Sequence, residues 1–208
     1  MPQPPHDAPR ALLLDVMSTL VYDPYAVELP AFFSLSMREL FSRVERTAWT
    51  RFERAEIDEQ TFCDIFLPDH PTPIDVPALR AMLHGAYRFL DGIEPLLGDL
   101  RASQIPMYAL SNYPIWYEII EDKLALSRYL SWQFFSWKTG VRKPDARAYT
   151  GAAHALALRP DQCVFVDDRE DNCRAAEGAG MRAVHFDGDA GTLRDALSTL
   201  FGPLSTAT

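Results

Sequence analysis

A doubly wound, parallel-sheet α/β core interrupted by one all-helical insert is the fold class this sequence predicts, and three observations predict it. Four short apolar runs are continuous rather than alternating, which suits strands covered on both faces. Helix-patterned segments alternate with the later runs. Residues 24–90 carry helical patterns with no strand among them.

The first run, ALLLDV (11–16), delivers a carboxylate, Asp15, to its end. Asp23-Pro24 then breaks the chain, and the segments MRELFSRVERTAWTRFERAEI, DEQTFCDIFL and VPALRAMLHGAYRFL read as helices. Trp49, Phe52, Phe62 and Phe66 have the spacing of an apolar helical core. Asp91-Gly92 to Pro95 supplies turn chemistry again, so the insert is expected to run from 24 to 90. MYALSN (107–112) is the second strand, and YPIWYEIIEDKLAL follows it as a helix with Pro114 near its start. QFFSW (133–137) reads as a weaker, fifth strand. PDARAYTGAAHALAL opens on Pro144 in the same manner as the helix at Pro114. CVFVDD (163–168), the short helix REDNCRAAEGAG and RAVHF (182–186) continue the alternation. TLRDALSTLF closes it, with Thr192 and Asp195 at capping-box spacing.

Composition bounds the function. The chain has 208 residues, 48% hydrophobic and 24% charged, enough for one sizeable core or a core plus a small insert. A net charge of −9 disfavours a nucleic-acid partner. No run approaches the ~20 apolar residues of a membrane span. The proline-rich start MPQPPHDAPR lacks the apolar core of a signal peptide. Cys63, Cys163 and Cys173 form no CxxC pair, and their odd count predicts a reducing, cytoplasmic setting. The five histidines show no zinc-ligand spacing.

Ligands of open α/β sheets bind beyond the C-terminal strand ends. Those ends carry Asp15, then Ser111 and Asn112, then Asp167 and Asp168, while Lys143 lies just before Pro144 at a helix start. Clustered carboxylates repel unless a cation sits among them, and Mg²⁺ prefers oxygen ligands. A carboxylate can itself be a nucleophile, so the pattern points to phosphoryl transfer through Asp15. Each residue also has a plainer reading. Asp15 is then a turn residue, Ser111-Asn112 cap the helix near Pro114, Lys143 is a surface lysine, and Asp167-Asp168 with Glu170 and Asp171 form an acidic helix start.

DVMSTL, LSN, RKPD and FVDDREDN resemble, in order, the four motifs of the haloacid dehalogenase superfamily. FERAEIDEQTFCDIF is similar to its small-cap branch, which includes the phosphatase domain of soluble epoxide hydrolases. The resemblance implies a Rossmann-like core of residues 1–23 and 91–208 and a helical cap of residues 24–90. It implies Asp15 as nucleophile, Ser111 and Asn112 at the phosphoryl group, and Lys143 steadying charge. Thr19 would support the loop and stand with Ser111 and Asn112 among the substrate-binding residues. Asp15, Asp168, Asp167 and the main-chain carbonyl of Met17 would hold Mg²⁺, and Asn172 would orient the acidic loop. The implied activity is Mg²⁺-dependent hydrolysis of a small phosphorylated metabolite.

Met17 departs from that pattern. Phosphatases of the family usually carry an acid there, and positioned acid–base catalysis is worth roughly 10²–10⁴ in rate. The departure leaves a second reading, a catalytically impaired module that binds Mg²⁺ and phosphate or a protein partner. Carbon–halogen hydrolysis is disfavoured by the acidic pair Asp167-Asp168. Phosphonate cleavage through a cap lysine is disfavoured because residues 24–90 contain none.

Overall fold

The computed structural model describes residues 8–206, so residues 1–7 of the proline-rich start lie outside it. Four parallel strands, β1 (Ala11–Leu14), β2 (Met107–Ala109), β3 (Cys163–Asp167) and β4 (Arg182–His185), pair in the order β2-β1-β3-β4. The chain leaves β1 toward β2 and later crosses to β3 on the other side. The crevice beyond the C-terminal ends of β1 and β3 is therefore the topological switch point. In register, Leu14 lies beside Ala109 and Val166, so the residues just past these strands share one rim.

The apolar runs are continuous because each face of the sheet has its own core. Leu12, Leu14, Val164 and Val166 point one way, and Leu13 and Phe165 the other, following the two-residue period of a strand. The second face is covered by α9 (Ala146–Ala155), through Tyr149 and Ala152, and by α10 (Glu170–Gly178), through Ala176. The first face meets α6 (Ile93–Ala102), α7 (Tyr117–Leu124) and α11 (Ala190–Phe201). Its core runs on without interruption into the helical insert.

That insert consists of α1 (Glu28–Phe32), α2 (Met37–Arg43), α3 (Ala48–Glu53), α4 (Glu59–Phe66) and α5 (Val76–Ala86). Helix starts are fixed locally: Ser36 and Glu39 form a capping box on α2, and Asp58 and Asp75 cap α4 and α5 through their side chains. Phe52, Phe62 and Phe66 are buried, with Phe52 stacked on Phe62 at 4.6 Å between centroids. The two crossings between core and insert lie side by side. Tyr22 N–H donates to Arg88 O at 2.9 Å and Leu90 N–H to Leu20 O at 3.0 Å, next to the expected boundaries at 23/24 and 90/91.

Several expectations are corrected. The span 37–57 is two helices, because Val44 is extended and Glu45 turns the chain by accepting from Thr47 N–H at 2.9 Å. Residues 133–137 are not a strand. Ser131, just before them, bridges β2 at Tyr108, and the chain then turns into the one-turn helix α8 (Ser136–Thr139). The helix α6 was not expected, since Pro95 reads as a breaker. It sits in the first turn, where its missing N–H has no partner to lose. Asp189, not Thr192, caps α11, and Thr192 N–H donates to it at 2.6 Å. Among the described residues no helix is long and apolar enough to cross a membrane.

Candidate active site

Asp15 is held one residue beyond β1, with its N–H donating to Val166 O at 2.9 Å. The chain then closes a tight loop: Ser18 takes a positive φ of 59° and donates through its N–H to Val21 O at 2.8 Å. This loop buries Thr19 completely. Thr19 Oγ1 donates to Asp15 Oδ2 at 3.3 Å and accepts from Asp168 N–H at 3.1 Å, tying the ends of β1 and β3 together. Thr19 therefore braces the two acidic loops and is not among the residues lining the cavity above them, which corrects its reading as a substrate contact.

Asp15 Oδ1 accepts from Ser111 Oγ at 2.9 Å and from Lys143 Nζ at 2.6 Å. Lys143 also pairs with Asp167 Oδ2, and its side chain is only 2% exposed. It is thus a buried ammonium between two carboxylates, not a surface lysine. Asn112 points at the same cavity, but its amide is taken up by the main chain of Lys143: Nδ2 donates to the carbonyl at 2.8 Å and Oδ1 accepts the N–H at 2.7 Å. Asn112 is a positioning residue here, and neither Ser111 nor Asn112 caps α7. Asp167 is fully buried, with Asn172 Nδ2 at 3.1 Å from both oxygens and Arg169 N–H at 2.8 Å from Oδ1.

Burial pushes the Asp15 carboxyl up to about 6; Lys143 opposes the rise, while Asp167 and Asp168 add to it. Burial acts to lower the Lys143 ammonium, but Asp15 and Asp167 outweigh it and the pKa is raised. Burial, then the Asp167 charge, raises Asp168. The centre is a buried carboxylate held against a buried ammonium.

Among the described residues, Asp15, Asp167 and Asp168 each offer an oxygen, and these oxygens all lie within 4.8 Å of one another. Three carboxylates against the one Lys143 ammonium leave an uncompensated negative charge, which a hard divalent cation with oxygen ligands fits.

Above this cluster opens a cavity of about 540 Å³. Its floor is Asp15, Ser111, Lys143 and Asp168, with Met17 beside them. Its far wall is aromatic. Trp49 from α3 packs edge-on to Tyr25 (5.8 Å), Trp116 (5.8 Å) and Tyr113 (6.5 Å), and all four rings line the space. Of the four aromatics grouped as insert core in the sequence, Trp49 thus reaches the cavity. The sequence also gave no sign of Glu53. This carboxylate of α3 is 1% exposed, pairs with Arg142 next to Lys143, and so ties the insert to the loop that carries Lys143. Ser136 Oγ donates to the Glu53 carbonyl at 2.8 Å as a second tie.

Comparison with known proteins agrees with this geometry. A family model of haloacid dehalogenase-like hydrolases matches residues 9–180. Flavin mononucleotide hydrolase 1 of Arabidopsis thaliana, a chloroplastic protein by its name, is 41% identical over 189 residues, covering 91% of this chain and 76% of that protein. A sesquiterpene phosphatase of Aspergillus oryzae is 25% identical over 164 residues, covering 73% of this chain and 79% of its own. Among solved structures, a HAD family enzyme of Bacteroides thetaiotaomicron in complex with magnesium and inorganic phosphate superimposes with a TM-score of 0.73 at 18% identity, over 89% of this chain and 99% of that one.

Proposed function

The chain belongs to the haloacid dehalogenase-like hydrolase family, and from that premise we propose that it is a Mg²⁺-dependent phosphomonoesterase acting through a phosphoaspartyl intermediate on Asp15, with flavin mononucleotide its leading substrate. The observation that carries this reading is the Asp15 carboxylate, 2.6 Å from the buried Lys143 ammonium and 2.9 Å from Ser111 Oγ, at the floor of an aromatic-walled cavity.

An Asp15 oxygen attacks phosphorus, and the ester oxygen departs. Ser111 and Lys143, which now donate to Asp15, turn to the phosphoryl oxygens and stabilise the charge that develops there. Asn112 holds Lys143, and Thr19 holds Asp15, so neither reorganises far. Asp15, Asp168 and the main-chain carbonyl of Met17 would hold Mg²⁺. Asp167, engaged by Lys143 and Asn172, would act beside them or through water. When bound, the ion would neutralise charge shared between Asp15 and the phosphoryl group. The side chain of Met17 does not alter its carbonyl, so this part of the site is independent of the missing acid. The acidic pair at the end of β3 favours phosphoryl chemistry over metal-free dehalogenation.

The rings of Tyr25, Trp49, Tyr113 and Trp116 offer edges and faces to a planar heteroaromatic body, and the cavity volume lies in the range of small-molecule sites. The Arabidopsis relative, named for flavin mononucleotide hydrolysis, supports the same substrate class. The free, buried thiols Cys63, Cys163 and Cys173 support a reducing compartment.

Phosphate release from flavin mononucleotide and a panel of phosphorylated metabolites, with Mg²⁺ and with chelator, tests the reading. Mg²⁺-dependent release is expected, with flavin mononucleotide among the best substrates. No Mg²⁺-dependent release from any compound contradicts the phosphatase reading. Release that spares flavin mononucleotide contradicts only the substrate assignment.

A further inference from the structure

We propose that Asp23 donates the proton to the leaving group, the step that a methionine at position 17 cannot perform. The inference rests on the phosphomonoesterase reading above and adds a catalytic residue to it.

A phosphomonoester of an ordinary alcohol leaves as an alkoxide unless a proton reaches its oxygen, and a thioether has none to give. The acidic side chains that open onto the cavity are few, and most are already committed. Asp15 is the nucleophile, while Asp167 and Asp168 belong to the carboxylate cluster. Glu53 is ion-paired with Arg142. Tyr113 shares its hydroxyl with that of Tyr87. Asp23 lines the same cavity, lies outside the cluster, and makes no ion pair among the described residues.

The fold places Asp23 there rigidly. The loop from Val16 returns on itself, with Leu20 and Val21 N–H both donating to Val16 O at 2.9 and 2.8 Å. Residues 20–22 are then pinned to residues 88–90, so the chain re-enters the cavity wall at Asp23, six residues after Met17. Asp23 Oδ1 accepts from Tyr25 N–H at 2.9 Å, a turn that fixes the carboxyl group and leaves Oδ2 without a hydrogen-bond partner among the described residues. Its surroundings favour the protonated acid. Burial pushes the carboxyl up, the Tyr25 N–H opposes this, and the neighbouring Glu28 charge adds to the rise.

The step balances. The bond from Asp15 oxygen to phosphorus forms as the bond from phosphorus to the ester oxygen breaks. The Asp23 carboxyl proton passes to that oxygen, which leaves as the alcohol. Asp23, now a carboxylate, regains a proton from the water that hydrolyses the phosphoaspartate.

Leaving-group dependence tests the assignment. The ratio kcat/KM reports only steps up to alcohol departure, so it isolates this proton transfer from later hydrolysis. It is measured for wild type and Asp23→Asn with p-nitrophenyl phosphate, whose leaving group needs no proton, and with flavin mononucleotide, an alkyl ester. Asn keeps the Oδ1 acceptor for Tyr25 N–H, and a thermal melt checks the fold. Should Asp23→Asn fail to fold, Asp23→Ser, which also keeps an acceptor in the turn, replaces it. The loss on flavin mononucleotide is expected to be about 10²-fold or more, and at least ten times the loss on p-nitrophenyl phosphate. Equal losses on both esters in a folded variant, or no loss on either, overturn the proposal. Absence of Mg²⁺-dependent hydrolysis of p-nitrophenyl phosphate by the wild type would instead count against the phosphatase reading itself.

Discussion

Asp15→Asn is expected to lower phosphate release at least about 10⁴-fold, because in the proposed mechanism it removes the atom that would form the covalent intermediate. Asn keeps the size; its oxygen at the Oδ1 position still accepts from Ser111, and its NH2 at the Oδ2 position can donate to the Thr19 hydroxyl, so the loop should stay closed. Loss of activity should therefore come without loss of fold. Stability should move the other way in metal-free protein. Burial raises the folded Asp15 carboxyl from 3.8 to about 6, so the ionised group costs stability above that range and costs nothing below pH 3.8, where it is protonated in both states. Replacing it by a neutral amide removes that cost at pH 7. Thermal melts with chelator at pH 7 should show Asp15→Asn at least as stable as wild type, with the difference shrinking as pH falls through the 6 to 4 window. A variant that unfolds at pH 7, or one that keeps substantial turnover, contradicts the assignment.

Lys143→Met should produce the opposite pairing of effects. The ammonium is the counter-charge inside the carboxylate cluster, and it contacts both Asp15 and Asp167 while almost fully buried. Removing one partner of a buried pair leaves uncompensated charge, typically about 3–5 kcal/mol of destabilisation. Mg²⁺ binds the folded state only, so it should restore part of that loss in proportion to its saturation. Turnover should still fall by roughly 10²–10³, since a donor aimed at the developing phosphoryl charge is gone. Urea unfolding of wild type and variant, each with and without Mg²⁺, measures the first two effects. Equal stability without metal would mean that Lys143 does not carry the charge of this site.

The strand ends were the most legible part of the chain. ALLLDV and CVFVDD announce themselves because both sheet faces are covered, and the carboxylates at their ends have no apolar reason to be there. Lys143 was legible through its KPD setting, although nothing local shows that it is buried. What escaped the sequence depends on long-range pairing. Glu53 and Arg142 are 89 residues apart, and no spacing rule joins them. Asn112 looks like a cap or a ligand until the main chain of Lys143 is seen against its amide. Thr19 looks like a rim residue until the loop closes over it. Pro95 reads as a breaker because its position within a first turn depends on where α6 begins. Asp23 reads as turn chemistry before Pro24, and it is turn chemistry. Its second face, toward the cavity, comes from the pairing of residues 20–22 with 88–90.

In the proposed mechanism Asp15 carries the phosphoryl group during turnover. Rapid acid quench of the wild-type protein with Mg²⁺ and flavin mononucleotide, followed by peptide mass spectrometry, tests it most directly. One added phosphoryl group on the peptide that contains Asp15, absent in Asp15→Asn and absent with chelator, is the predicted result. Flavin mononucleotide hydrolysed at full rate with no phosphoryl group on that peptide at any quench time would contradict it.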